Sequence, residues 1–335
     1  LLERRRAAAI LALTAGAALT RLEGSARATQ PGTTARAAPE SDEDLPPPRE
    51  DGPAQRGPQP PPWRPYNLYS LLSPEALTAE LEARHAMPGT FEEKVERVTR
   101  GLVAAPYLLS PLGEGMAPDP DPRFRLDAFD CTTLVETALA LLACDDLGEV
   151  QARLDRIRYR GPALAFTERR HLMTAQWIPE LIAAGLLVDV TREVGGSDTA
   201  RLSVALDPAR WRARRVARAL ALPAEAIPVG EFGLDYLPLK AALVRLDSLP
   251  EATVLNVVRA EAPGAPEVVT HQGLLVRHPG DRTLYIRHAS PVAKRVLDEP
   301  LERKLGRYLV PRRWPIIGIN LLRIVPTRAG TGAPR

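Results

Sequence analysis

The chain has 335 residues, 45% hydrophobic and 25% charged, enough apolar material for a full-sized buried core. A formal net charge of +3 is too small for an electrostatic footprint on nucleic acid. No basic helix, zinc-finger spacing or RNA-binding aromatic motif supplies one either. Only 5% of residues are aromatic, whereas 34 are proline, and the uneven spread of the prolines locates the folded part.

The first stretch reads "LLERRRAAAILALTAGAALTRLEGSARATQ". Arg4, Arg5 and Arg6 precede an apolar run over 7–19, and Ala26-Arg27-Ala28 follows, the basic, apolar and small-x-small order of a secretory signal. The run is shorter than the ~20 residues that span a bilayer, so no stable membrane span is expected after signal cleavage. The competing reading is an alanine-rich helix of the fold. Residues 1–28 are assigned to a signal peptide, and the protein to the periplasm or cell envelope. Residues 29–65 are rich in Pro and charge and have almost no apolar periodicity, which predicts a disordered linker. The folded domain is placed at 66–328 and a disordered tail at 329–335.

Two cysteines occur in the chain. Within "FRLDAFDCTTLVETALALLACDD", Leu134, Val135, Ala138, Leu139, Leu141 and Leu142 form one broad helical face. Asp130 caps that helix, or Thr133 does with Glu136 as the far half of a capping box. Either start puts Cys131 in the first turn, where free N–H groups favour a thiolate and can hold an oxyanion. Cys131 and Cys144 would lie roughly 20 Å apart along one helix, too far for a disulfide. A free thiol in an exported protein suggests a role for Cys131, against the plainer reading of a small buried hydrophobe.

Five histidines occur, at 85, 171, 271, 278 and 288. In "EVVTHQGLLVRHPGDRTLYIRHAS", residues 267–276 and 283–288 read as two strands around Pro-Gly-Asp turn chemistry. An antiparallel hairpin makes His271 and His288 neighbours across the ladder, as a base and its orienter. His278 falls in the turn and is expected to be solvated.

These elements resemble a family. "FDCTTLVET" is similar to the Asp-Cys-Ser/Thr element of the NlpC/P60-type papain-like peptidases of bacterial cell walls, and "HQGLLV" with "YIRHAS" to their two histidine strands. The likeness is closer to the N-acetylmuramoyl-L-alanine amidase-like branch, long a domain of unknown function, with "GLVAAPYLLSPLGEG", "RYRGPALAFTERRHLMTAQWIPELIAAGLL" and "YLVPRRWPIIGINLLRI" as further matches over about Thr90 to Ile324. The resemblance implies a papain-like α+β fold, with a Cys-bearing helix packed on an antiparallel sheet bearing the histidines. It implies Cys131 as nucleophile, His271 as general base and His288 as its orienter. It also places Tyr107 beside the site and gives Arg169, His171 and Trp177 contacts to substrate. For the last three, a helix face with Trp177 in the core is an equal reading.

The expected activity is cysteine amide hydrolysis of peptidoglycan or its muropeptide fragments at the N-acetylmuramoyl-L-alanine bond, without metal or organic cofactor. The alternatives are an endopeptidase cutting within the stem peptide, a zinc amidase ligated by His171, His271 and His288, and a catalytically inactive wall-binding module. The basic segment "VALDPARWRARRVARALALPAEAIPVG" has no counterpart in the family resemblance.

Overall fold

The computed structural model describes residues 67–207, 209, 222–261, 267–311 and 314–326. The expected signal peptide, the linker, the tail and residues 208 and 210–221 of the basic alanine-rich segment lie outside the described residues. The architecture is α+β, as expected. Strands β1 (Leu187–Asp189), β2 (Ala200–Leu206), β3 (Gly230–Pro238), β4 (Thr253–Arg259), β5 (Val269–Val276), β6 (Tyr285–Ser290), β7 (Arg295–Pro300) and β8 (Ile316–Ile324) join in one sheet. Its order is β2-β3-β8-β4-β5-β6-β7, and every pairing is antiparallel. Strand β1 shares the β8 edge with the end of β3.

The alternation of β4 and β8 divides the apolar residues between two cores. Val254, Val258, Leu274, Val276 and Leu322 face the larger one, which is closed by helices α1 (Pro74–Ala86), α2 (Phe91–Thr99), α3 (Cys131–Ala143), α4 (Leu147–Arg158) and α5 (Ile178–Ala183). Leu255, Val257, Leu275, Ile286 and Ile319 face the other, covered by α7 (Leu239–Val244) and α8 (Leu301–Arg307). A short helix, α6 (Thr191–Gly195), lies between β1 and β2. Among the described residues, no helix is long and apolar enough to cross a membrane.

Helix α3 begins where the sequence predicts, with Asp130 as the cap. The Asp130 carboxylate accepts from the Thr133 N–H at 2.8 Å, and the Thr133 hydroxyl accepts from the Asp130 N–H at 3.0 Å. Such a reciprocal box stabilises a helix start by about 1 kcal/mol. Both cysteines are free thiols, and Cys144 is the residue that ends the helix. The expected single apolar face is too narrow a description: every residue from Thr133 to Leu142 is buried. The polar side is covered too, because Glu136 finds partners inside the protein and was therefore never available as the capping-box acid.

The β5–β6 turn departs from expectation at His278. Its ring is half-buried, stacked 4.5 Å from Tyr285 and lying 3.5 Å from Glu96 and 3.4 Å from Asp298. Beneath it, Arg287 is fully buried. Its guanidinium grips Asp298 with two bonds of 2.7 Å and also donates to Glu96 O at 2.9 Å and Thr99 Oγ1 at 2.7 Å. Burial works against the charge of Glu96, but His278, Arg287 and Arg100 outweigh it and bring its pKa down to about 2. This cluster fastens the β6–β7 hairpin to α2.

Replacing Arg287 by Met keeps the volume, takes the buried guanidinium away from Asp298, and leaves Glu96 with Arg100 and His278. The expected loss is about 3–5 kcal/mol of stability, read as a lowered urea midpoint. A loss below about 1 kcal/mol would mean that the cluster behaves as a surface ion pair.

Candidate active site

Cys131 is the first residue of α3 and half-buried. Pairing between β5 and β6 ends at Leu274 opposite Arg287, so the main-chain N–H of Gln272 lies outside that ladder. The Gln272 main chain, one residue along from His271, acts on the Cys131 thiol and favours its ionised form. The two histidines expected to be neighbours do meet. His271 Nε2 stands 2.8 Å from His288 Nδ1, with the rings edge to face at 4.8 Å. Both rings are buried. Gly273 lets the strands come together beside them: a Cβ there would stand 2.8 Å from the Arg287 carbonyl oxygen and 2.5 Å from Ile286 Cγ1.

The electrostatics correct one expectation. A helix start favours a thiolate, yet burial and the neighbouring Asp130 carboxylate push the Cys131 pKa up to about 12, against the pull of the Gln272 and Thr132 N–H groups. Burial likewise holds His271 well below the usual imidazole range, helped by Lys304, His288 and Arg307. Desolvation outweighs the half-charge of a helix end here, and it favours the neutral forms of both groups.

Beyond His288 the chain of contacts continues into residues that the sequence reading did not single out. His288 Nε2 lies 3.3 Å from Glu299 Oε2, and Arg307 holds both oxygens of that carboxylate, at 2.8 and 2.5 Å. In the β6–β7 register His288 faces Leu297, so Glu299 is its diagonal neighbour on the same face. The only sequence signal for this was the alternation of "RVLDEP" after the second histidine strand.

The remaining expected residues are dispersed around α3. The main chain of Tyr107 bridges to Phe129, two residues before Cys131, and Lys294 sits 6.0 Å from the centre of its ring. Next to it, the Ser110 N–H donates to Asp130 Oδ2 at 2.9 Å. Arg169 is engaged by Glu114 at 2.9 and 2.5 Å and by Asp119 at 2.9 Å, and lies over the Phe166 ring. These bonds make Arg169 a clamp on the loop before Cys131. His171 is buried, with Nε2 2.7 Å from the Phe166 carbonyl, and burial beside Arg169 lowers its pKa to about 3.

Trp177 is fully buried, and its indole N–H donates to Glu136 at 3.0 Å. In this conformation it belongs to the core, so of the two readings for Trp177 the structural one fits. It closes a π-helical turn, Met173–Trp177. The turn is pinned by Glu267, which accepts from the Thr174 N–H at 3.0 Å and from the Val268 N–H at 2.8 Å at the start of β5.

Fold and site together are those of an α+β protein in which a helix that starts at a cysteine packs on the strands of a buried histidine pair. The chain matches the AmiA-like family, described as N-acetylmuramoyl-L-alanine amidase-like, over residues 97–308, and it belongs to that family. A Legionella pneumophila protein superposes with a TM-score of 0.65 at 22% identity, covering 76% of this chain and 96% of its own, a likeness of fold. An N-acetylmuramoyl-L-alanine amidase from Bacteroides uniformis superposes with a TM-score of 0.53 at 26% identity, covering 71% of this chain and 100% of its own. No curated protein matches the chain.

The buried imidazoles give a testable pH dependence. His171, His271 and His288 all have folded pKa values below the usual 6.5, so below that pH the unfolded chain takes up protons that the folded protein refuses. Stability therefore falls as pH drops from 6.5 towards about 4 and 3, the values for His288 and His171. Each such group steepens the slope by up to about 1.4 kcal/mol per pH unit. Denaturant titrations at pH 7, 5.5 and 4.5 should show this, and His171→Asn should flatten the slope. A flat profile over that range would mean that the imidazoles are solvated.

Proposed function

We propose that this protein is a peptidoglycan hydrolase that uses Cys131 as nucleophile and cleaves the amide between the muramoyl lactyl group and L-alanine. The observation that carries this reading is the packing of the Cys131 helix on the two strands that bring His271 and His288 together. Family membership and the likeness to the Bacteroides uniformis amidase support the substrate class. The helix-borne cysteine and strand-borne histidines also fit a papain-like, NlpC/P60-type relationship. A signal peptide over 1–28 and a Pro-rich tether over 29–65 suit an enzyme that works on the cell envelope.

The chemistry follows from the neutral forms of Cys131 and His271 that burial favours. His271 takes the thiol proton as sulfur attacks the amide carbonyl, so charge develops only as the new S–C bond forms. The Thr133 N–H is spent on Asp130, whereas the N–H of Cys131 is positioned in the first turn to donate to the oxyanion. Collapse breaks the C–N bond, and the amine leaves with the proton held by His271. Water then attacks the thioester, gives a proton to His271, and the carboxylic product departs as the thiol is restored. His288 orients the base and shares the charge of its imidazolium.

A zinc amidase fits the side chains less well. The facing nitrogens of His271 and His288 are committed to each other at 2.8 Å, and His171 Nε2 to a carbonyl. The scissile bond is chosen by how the cleft takes the acyl half, muramoyl in an amidase and γ-glutamyl peptide in an endopeptidase. Tyr107 on the chain leading into Cys131 is the residue proposed to meet the sugar side. Arg169 acts there through the loop that it holds, and His171 through the Phe166 turn that supports Arg169.

Digestion of purified muropeptides, read by mass spectrometry, tests both parts. Intact stem peptides with a free N-terminal L-alanine are expected, EDTA should have no effect, and Cys131→Ala should fold yet release nothing. L-Ala-γ-D-Glu left on the sugar would reassign the enzyme as an endopeptidase. Full activity of Cys131→Ala would end the cysteine mechanism.

A further inference from the structure

Glu299 is buried at the end of β7, directly behind His288, and α8 encloses it with Lys304 and Arg307. Arg307 holds both of its oxygens, which fixes the plane of the carboxylate. Burial opposes its charge, but His288, Arg307 and Lys304 outweigh that and bring its pKa down to about 2, so at neutral pH it only accepts hydrogen bonds. His288 is neutral as well: burial and Lys304 lower its pKa to about 4, against the pull of Glu299.

Three contacts in series then leave one arrangement of protons. Glu299 Oε2 accepts, so His288 Nε2 carries the hydrogen across 3.3 Å. A neutral imidazole has a single N–H, so His288 Nδ1 is a lone pair. The 2.8 Å contact to His271 Nε2 must therefore be filled by a hydrogen on His271. Neutral His271 is left with its lone pair on Nδ1. We propose that Glu299 is a positioning residue that fixes the tautomers of both histidines, so that His271 presents Nδ1, unprotonated, to the Cys131 thiol.

The reacting proton thus moves from sulfur to Nδ1 of His271, and returns from there to the leaving amine. In the imidazolium so formed, the positive charge is stabilised through His288 by a carboxylate anchored on Arg307. Without that anchor the pair of rings has a second arrangement, with both hydrogens shifted to the opposite nitrogens, in which Nδ1 of His271 already carries a proton and cannot act as base. The inference rests on the assignment of Cys131 and His271 as nucleophile and base.

The test combines histidine-selective 15N labelling with kinetics on the full chain, which contains only five histidines. Long-range 1H–15N spectra at pH 7 should show His271 and His288 both protonated at Nε2 in the unsubstituted protein. His271 protonated at Nδ1 would overturn the proposal whatever the variants do. Glu299→Gln keeps the shape but can donate as well as accept, so it should shift the tautomers and lower kcat with little change in KM. The expected fall is roughly 10–100-fold, smaller than the ~10⁴-fold seen when a carboxylate that touches the base itself becomes an amide. Glu299→Asp, which restores the charge, should recover part of the rate and the Nε2–H signature. Unchanged kcat and tautomers in Glu299→Gln would also overturn the role. If Cys131→Ala keeps hydrolysis while the spectra show Nε2–H on both rings, the nucleophile assignment fails and the proton arrangement set by Glu299 stands.

Discussion

Glu136, on the buried side of helix α3, accepts from the Trp177 indole at 3.0 Å and pairs with Arg158 at 3.3 Å. Burial raises its pKa even with these partners, so its contacts work against a large desolvation cost. Arg158 goes on to donate to the Leu112 carbonyl at 2.9 Å, in the loop that Arg169 clamps through Glu114 and Asp119. Trp177 closes the π-turn that Glu267 ties to the start of β5. The Cys131 helix and the His271 strand are therefore connected by one buried polar route, from Glu136 through Trp177 and Glu267. Apolar packing alone would leave α3 free to slide along its axis, because burial is not directional. Hydrogen bonds of fixed geometry prevent it.

A second polar row crosses the sheet behind the site. Gln272 donates to Asn256 at 2.6 Å, Asn256 to Asn320 at 2.9 Å, and Asn320 to Asp189, Thr191 and the Asp235 carbonyl, each at 3.0 Å. The three amides stand directly opposite one another on β5, β4 and β8. A one-residue slip would move them all to the wrong face, so the row pins the register that carries His271. The main chain of the same Gln272 acts on the Cys131 thiol, favouring its ionised form.

The desolvation that makes this frame costly also sets the chemistry. Burial favours the neutral forms of both Cys131 and His271. In the proposed mechanism charge separation is therefore deferred to the moment when a bound carbonyl can share it, which favours stabilisation of the transition state over the ground state.

What the sequence determined by itself is what depends on neighbouring residues. The Asp130–Cys131 helix start, the two histidine strands and the meeting of His271 with His288 were all legible, because caps, turns and strand alternation are local rules. The sequence also excluded a disulfide, since helix rise fixes the distance between Cys131 and Cys144. What only the tertiary structure decided is burial and long-range pairing: the neutral thiol, Trp177 as core, His278 held by Glu96 and Asp298, and Arg169 as a clamp. Glu299 and Arg307 belong to the same class. A carboxylate's role depends on what stands a few ångströms away across the sheet, and local spacing does not encode that distance. The desolvation that sets the site's charges exists only once the chain has closed around them.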